Sequence, residues 1–341
     1  MKNAIFKKKV FLNVIILSII FSFISCKDKN NYKVNLKEVS TPNLNYHNYF
    51  KDLMNINLDN FESEIVDLSD EYNVFLGDLR KDTTGIYQIK NFLTDTSIQR
   101  IFEESEEILK QNYNKLNKEF TNSFKHILYY YPDFQVPDFY SYISGYDFEF
   151  PVIYNNNEAF MIIASDMFLG SNHSDYFKMG FPMYLIRKFD VNYLVSDCVN
   201  EIAKYYNKSS NEYINLLSVM IYYGKNMEFV KSMMPNIHDT ILTGFTLEQM
   251  EWCYENEKEM WEYLVNENLL FSNNLRLINK MIEPAPFTSY FSNSSPGCVA
   301  RWIGWRIVSS YRTKNNMSLT ELMEFTDPTV ILQHSNYRPK R

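Results

Sequence analysis

The stretch VSDCVNEIAKYY, Val195 to Tyr206, sets two carboxylates and a thiol on one apolar segment. Val195, Val199, Ile202 and Tyr206 recur at helical spacing, with Cys198 beside them. Asp197 and Glu201 stand one helical turn apart and point the same way. Such a carboxylate pair could move a proton to or from a bound substrate. The plainer reading is a polar edge on a core helix. A second stretch, SDMFLGSNHSDYF (Ser165 to Phe177), carries Asp166, His173 and Asp175. Those three could hold a divalent cation, but Asp and Ser in such a loop more often cap backbone groups.

Little else in the chain has the spacing of a known chemistry. His47, His126, His173, His238 and His334 lie in five different segments. A Ser–His or Cys–His pair could still meet in space, but nothing local predicts one. There is no G-x-S-x-G, no G-x-G-x-x-G and no P-loop. Beyond Cys26 only Cys198, Cys253 and Cys298 remain, with neither C-x-x-C nor zinc-type spacing. At most one disulfide can form among the three. Cys198 and Cys253 read as small buried hydrophobes. These residues predict no metal and no cofactor.

The N-terminus is more telling. Lys2, Lys7, Lys8 and Lys9 precede an apolar run from Val10 to Ser25, and Cys26 follows at once. A basic region, a short apolar core and a small residue before the cut describe an export signal. The run is shorter than the ~20 apolar residues that span a bilayer. With Ser25 before Cys26 the junction resembles a bacterial lipobox, although Phe23 stands where Leu is commoner. The expected product is cut before Cys26, which then carries the acyl chains. Each buried methylene contributes ~0.8 kcal/mol, so several chains make a durable membrane anchor. Lys27, rather than Asp, follows the cysteine, which favours the outer membrane. The expected division is a signal peptide over 1–25, a polar tether over 26–45 and a globular body over 46–341.

Removing residues 1–25 takes away four lysines and no acid, so the formal charge falls from -7 to -11. An acidic body of this kind excludes a basic nucleic-acid binder and a nonspecific grip on anionic lipid. With 26 Tyr and 26 Phe against 9 Gly, the chain can build a large core.

The elements that must position these residues can be read from periodicity. Leu109, Tyr113, Leu116, Phe120, Phe124 and Ile127 predict a long helix over 97–128, stopped before Pro132 and Pro137. Aromatic and β-branched runs predict strands over 140–148, 152–154 and 159–165, with YNNNEA as a turn. The expected fold is α+β, predominantly helical, with a small and mainly antiparallel sheet near 138–165. Further helices are expected over about 216–234 and from the capping box TLEQ (Thr246 to Gln249) through Val265. The outer face of that last helix carries Glu248, Glu251, Glu255, Glu259 and Glu262 and reads as solvated. Pro296 and Gly297 form the entry turn of a helix in which Gly304 sits mid-way. Gly there costs ~1 kcal/mol relative to Ala, so a close neighbour is expected.

The runs YYYPDFQVPDFYSYISGYDFEFPVIY, ASDMFLG, GFPMYLIRKF, IYYGK, EPAPF and SPGCVARWIGWRIVSSY, in this order, resemble the gliding motility lipoprotein GldB family of Bacteroidetes. Cys298, where Arg or another polar residue is expected, and Ala300, where Gly is usual, depart from its pattern. The resemblance implies an envelope lipoprotein needed for gliding, facing the periplasm. It implies partners among the gliding and type IX secretion proteins, and no catalytic activity to carry over. The layout is also similar to predicted zinc peptidases, in which a strand pair precedes an H-E-x-x-H helix and a later helix supplies the third ligand. In that comparison Ser196, Asp197 and Asn200 occupy the motif's positions, and Tyr222 and Tyr223 stand where the third ligand is expected. Two imidazoles four residues apart, with Glu between them as base, are what such a site needs. Only the acid survives in kind, so the resemblance implies a degenerate zincin-like layout. The alternative is an exported hydrolase using a site that these motifs do not reveal.

Overall fold

The computed structural model describes residues 32–209 and 215–339. Cys26 and the apolar run before it lie outside the described residues. Among the described residues no helix is long and apolar enough to cross a membrane. Residues 34–45 form neither helix nor strand, yet Pro42 is buried and Leu44 packs on the core. The C-terminal part of the expected tether therefore lies against the body.

The body is predominantly helical with one four-stranded sheet, as the sequence predicts. The strands are β1 (Tyr46–His47), β2 (Asp138–Tyr142), β3 (Val152–Asn155) and β4 (Phe160–Ala164). Their order is β1-β2-β4-β3. The expectation of a mainly antiparallel sheet is corrected here. Only β3 and β4 pair antiparallel, across the expected turn, whereas β1–β2 and β2–β4 are parallel. The physical reason lies just after β2, which ends at Tyr142 and does not run on to Phe148. The buried Asp166 carboxylate accepts from Ser144 N (2.9 Å), Ser144 Oγ (3.0 Å) and Tyr146 N (2.7 Å). Gly145 and Tyr146 both take positive φ there. This tied turn leads the chain away from β2, so the β3–β4 hairpin inserts with β4 beside β2.

Helix α1 (Thr96–Tyr130) backs the sheet, with Phe120 and Phe124 packed on Phe139 of β2. Two helices then form the centre. Helix α2 (Val191–Tyr206) contains the VSDCVNEIAKYY stretch, starts at Asp190, whose side chain accepts from Asn192 N, and buries Val195, Cys198, Val199 and Ile202. Helix α3 (Leu216–Met233) opens with a capping box between Asn215 and Ser218 and is buried on nearly all sides. The TLEQ capping box forms as expected, but its helix is two: α4 (Leu247–Glu255) and α5 (Glu257–Asn266), separated at Asn256. The five glutamates of its outer face are exposed.

Helix α6 (Val299–Lys314) lies across α3. A Cβ on Gly304 would sit 2.0 Å from the Met220 carbonyl oxygen, and one on Gly224 2.5 Å from the Gly304 carbonyl. Only two residues without Cβ allow this approach. The contact that Gly304 predicts is thus backbone on backbone. Buried charge fixes the same pair further along. Arg312 of α6 meets Glu228 of α3 at 3.0 Å, and Trp305 Nε1 donates to Glu228 Oε2 at 3.0 Å. Lys225, fully buried on α3, donates to Ser209 Oγ and to the Met323 and Phe325 carbonyls.

Candidate functional site

Ser196, Asp197 and Asn200 all face one cavity of about 520 Å³, within the size range of small-ligand sites. Its opposite walls come from α3 through Tyr223 and Met227, from the segment 184–189, and from the start of α6. The three positions read from α2 thus converge with Tyr223, one of the two residues read from α3. Tyr222 does not line the cavity. None of the five histidines lines it either.

The donor set of these positions is spent or sparse. Ser196 is buried, and its Oγ donates to the Tyr193 carbonyl at 2.8 Å. Asp197 is half-buried, and among the described residues no donor reaches its carboxylate. Burial pushes its pKa up, against the pull of Lys188 and Lys204. Glu201 does not join it. That carboxylate lies off the cavity and is paired with Lys204 Nζ at 2.5 Å. Burial raises its pKa too, with Asp197 adding repulsion. The two carboxylates that could have worked as a pair are divided, one on the cavity and one off it, which agrees with the plainer reading of a polar helix edge.

Residues that no motif announced dominate the far wall. Arg187, Lys188 and Arg301 bring three cations. The Arg301 guanidinium lies 4.0 Å over the Tyr223 ring, a cation–π contact, and reaches Glu283 only at 3.8 Å. Arg187 donates from Nη1 to Gln249 Oε1 at 3.1 Å. The Nε atoms of both arginines are buried without a hydrogen-bond partner, and so is Trp302 Nε1. Cys298, at φ 58°, stands at the mouth of α6 in the left-handed region and gives that helix no side-chain cap. Burial pushes its thiol up, helped by the charge of Glu283 and opposed by Arg301, Lys188 and Arg187. The loop before it is firm, since Thr288 Oγ1 donates to the Pro296 carbonyl and the Ala285 backbone fills the space beside Gly297.

The other cation candidate is dispersed. Asp166 holds the turn after β2. Asp175 receives Lys178 (2.8 Å), the Tyr146 hydroxyl (3.0 Å) and Arg100, which together hold its pKa well below the usual carboxylate range. His173 Nε2 pairs with Glu104 at 2.7 Å. Among the described residues no group of three or more His, Cys, Asp or Glu could share a metal ion. Cys198 and Cys253 are fully buried and unpaired by disulfide, as their apolar settings predict.

A family model described as gliding motility protein GldB matches residues 29–339, nearly the whole chain and all of the elements above. The chain belongs to the GldB family. No curated protein matches it, and no solved structure does. Membership identifies a gliding motility protein of a lipoprotein family and assigns no role to the cavity. Of the two positions at which the sequence is expected to depart from the GldB pattern, Cys298, the residue before α6, lines the cavity, whereas Ala300 is fully buried in the first turn of α6 and does not.

Proposed function

We propose that this GldB-family chain is a lipid-anchored envelope protein that serves gliding without catalysis, as a scaffold or assembly factor for the gliding and type IX secretion machinery. Family membership over residues 29–339 carries the reading. Lipidation at Cys26 rests on the lipobox, placement in the outer membrane on Lys27 after the cysteine, and the periplasmic orientation on the family resemblance.

The absence of catalysis is argued from side-chain chemistry. In the zincin-like reading, Ser196, Asp197 and Asn200 correspond to H-E-x-x-H, and their convergence with Tyr223 on one cavity supports it. Ser196 and Asn200 are poor zinc ligands, and a tyrosine replaces the downstream acid. In a zincin the carboxylate base acts on a water made acidic by the metal, and Asp197 alone cannot hold that ion. A hydrolase with a different site would be favoured by Asp197, Glu201 and a histidine in one pocket. Glu201 and every histidine stand outside it.

The test is a deletion strain on agar, complemented by the wild-type chain and by Asp197→Ala. Loss of spreading, restored by both, is the expected result. Normal gliding of the deletion strain would overturn the motility role. Failure of Asp197→Ala to complement, with normal protein levels, would overturn the non-catalytic reading.

A further inference from the structure

The far wall of the cavity is built for an anion that the reading above does not use. Three cations, Arg187, Lys188 and Arg301, line the cavity together with the uncapped start of the sixteen-residue helix α6, whose first turn carries partial positive charge. Buried N–H groups without partners are uncommon because each costs free energy comparable to a lost hydrogen bond. Here three such donors, Arg187 Nε, Arg301 Nε and Trp302 Nε1, belong to residues lining one cavity, and Trp302 is fully buried. The acids at the rim, Glu149 and Glu283, are exposed. Asp197 is the one half-buried acid of the lining, and among the described residues no donor uses its carboxylate.

That combination selects among anions. A phosphate dianion brings two negative charges beside Asp197, where a carboxylate brings one. A fatty acid has a carboxylate but no donor for Asp197. A peptide chain end has both, since a backbone N–H lies next to its terminal carboxylate. Phe168, Phe189 and Met227 in the walls would receive apolar side chains. We propose that the cavity captures the free C-terminal end of a peptide, with its carboxylate among Arg187, Arg301 and Lys188 and its last backbone amide donating to Asp197. Such capture of chain ends is an established recognition mode. Tyr223 holds the Arg301 guanidinium in place for it.

The test uses the full lipidated chain in detergent and titration calorimetry. The probes are acetyl-Ala-Ala-Leu and acetyl-Ala-Ala-Phe, each as free acid and as C-terminal amide. The acids should bind, and amidation should weaken binding at least ten-fold. Arg187→Gln and Arg301→Gln should each weaken acid binding at least five-fold and leave the amide unaffected, with thermal midpoints reporting that the variants fold. If Arg301→Gln does not fold, Arg187→Gln and the acid–amide comparison decide. Equal binding of acid and amide, or no binding at millimolar peptide, would overturn the proposal. So would competition by inorganic phosphate or octanoate as strong as by the acid peptides, which would mark a plain anion or fatty-acid site. Binding is read on purified protein and gliding on cells, so either reading can fail without the other.

Discussion

Gly224 and Gly304 meet backbone to backbone where α3 crosses α6. Replacing Gly304 with Ala would normally favour a helix by ~1 kcal/mol. Here the added methyl would fall 2.0 Å from the Met220 carbonyl oxygen. The obstacle is main chain and cannot rotate away, so the helices must part. Overpacking typically costs ~1–3 kcal/mol, and Gly304→Ala is expected at the upper end, with Gly304→Leu failing to fold. Urea unfolding of the two variants checks this. An unchanged midpoint for Gly304→Ala would show that the crossing is loose.

Burial brings the Lys225 ammonium down from its ordinary 10.5 to about 7, and its three hydrogen-bond acceptors make the charged form tolerable below that pH. Between pH 7 and 10.5 the unfolded chain binds the proton that the folded chain has released. Stability from this group therefore rises with pH across that window, by up to about 1.4 kcal/mol per unit. The stability difference between wild type and Lys225→Met should grow in favour of wild type from pH 7.5 to 9. A flat difference would mean that the lysine stays charged in the fold.

Asp197 has the opposite linkage. Its folded pKa is raised, chiefly by burial, so the folded state holds its proton to higher pH than the unfolded state does. The contribution is fully present below the ordinary carboxylate value and is lost as pH rises through the raised one. Asp197→Asn removes that loss. The variant should match wild type near pH 4 and exceed it at pH 7 by thermal midpoint. Lower stability at pH 7 would show that the carboxylate has a strong partner.

Cys26→Ala should leave the chain unacylated. The chain should then be released from the membrane fraction, since the acidic body grips anionic lipid poorly. Radiolabelled acyl incorporation and fractionation after a salt wash check both steps. Retention of the unacylated chain on the membrane would point to a tightly bound integral partner.

Local order was legible in the sequence, and distant pairing was not. Helix α1 and the TLEQ start follow from periodicity and capping within a few residues. Gly304 disclosed its close contact because a mid-helix glycine is costly without one. Strand β1 is two residues long and pairs with residues more than ninety positions away, so no local pattern marks it. The parallel β2–β4 pairing was hidden because the turn that prevents a meander is tied by Asp166, twenty residues downstream of Tyr146. At the site, Asp197 was marked by helical spacing, and Ser196 and Asn200 only by the resemblance that put H-E-x-x-H at their positions. Arg187, Arg301 and Trp302 were missed because they come from separate segments and carry no shared motif. The signal that could have raised them is the density of Arg and Lys beside Phe189 and at the entry to α6.

The glycine crossing has a consequence for the cavity as a receptor. Tyr223 precedes one of the two glycines, and Arg301 lies three residues before the other. The two walls that would hold a ligand are therefore hinged at a joint with no slack. A guest would find Tyr223 and Arg301 already in place and would spend none of its affinity ordering them. The same stiffness leaves the protein poor at adapting to a misshapen guest, so discrimination here would come from exclusion rather than from closure.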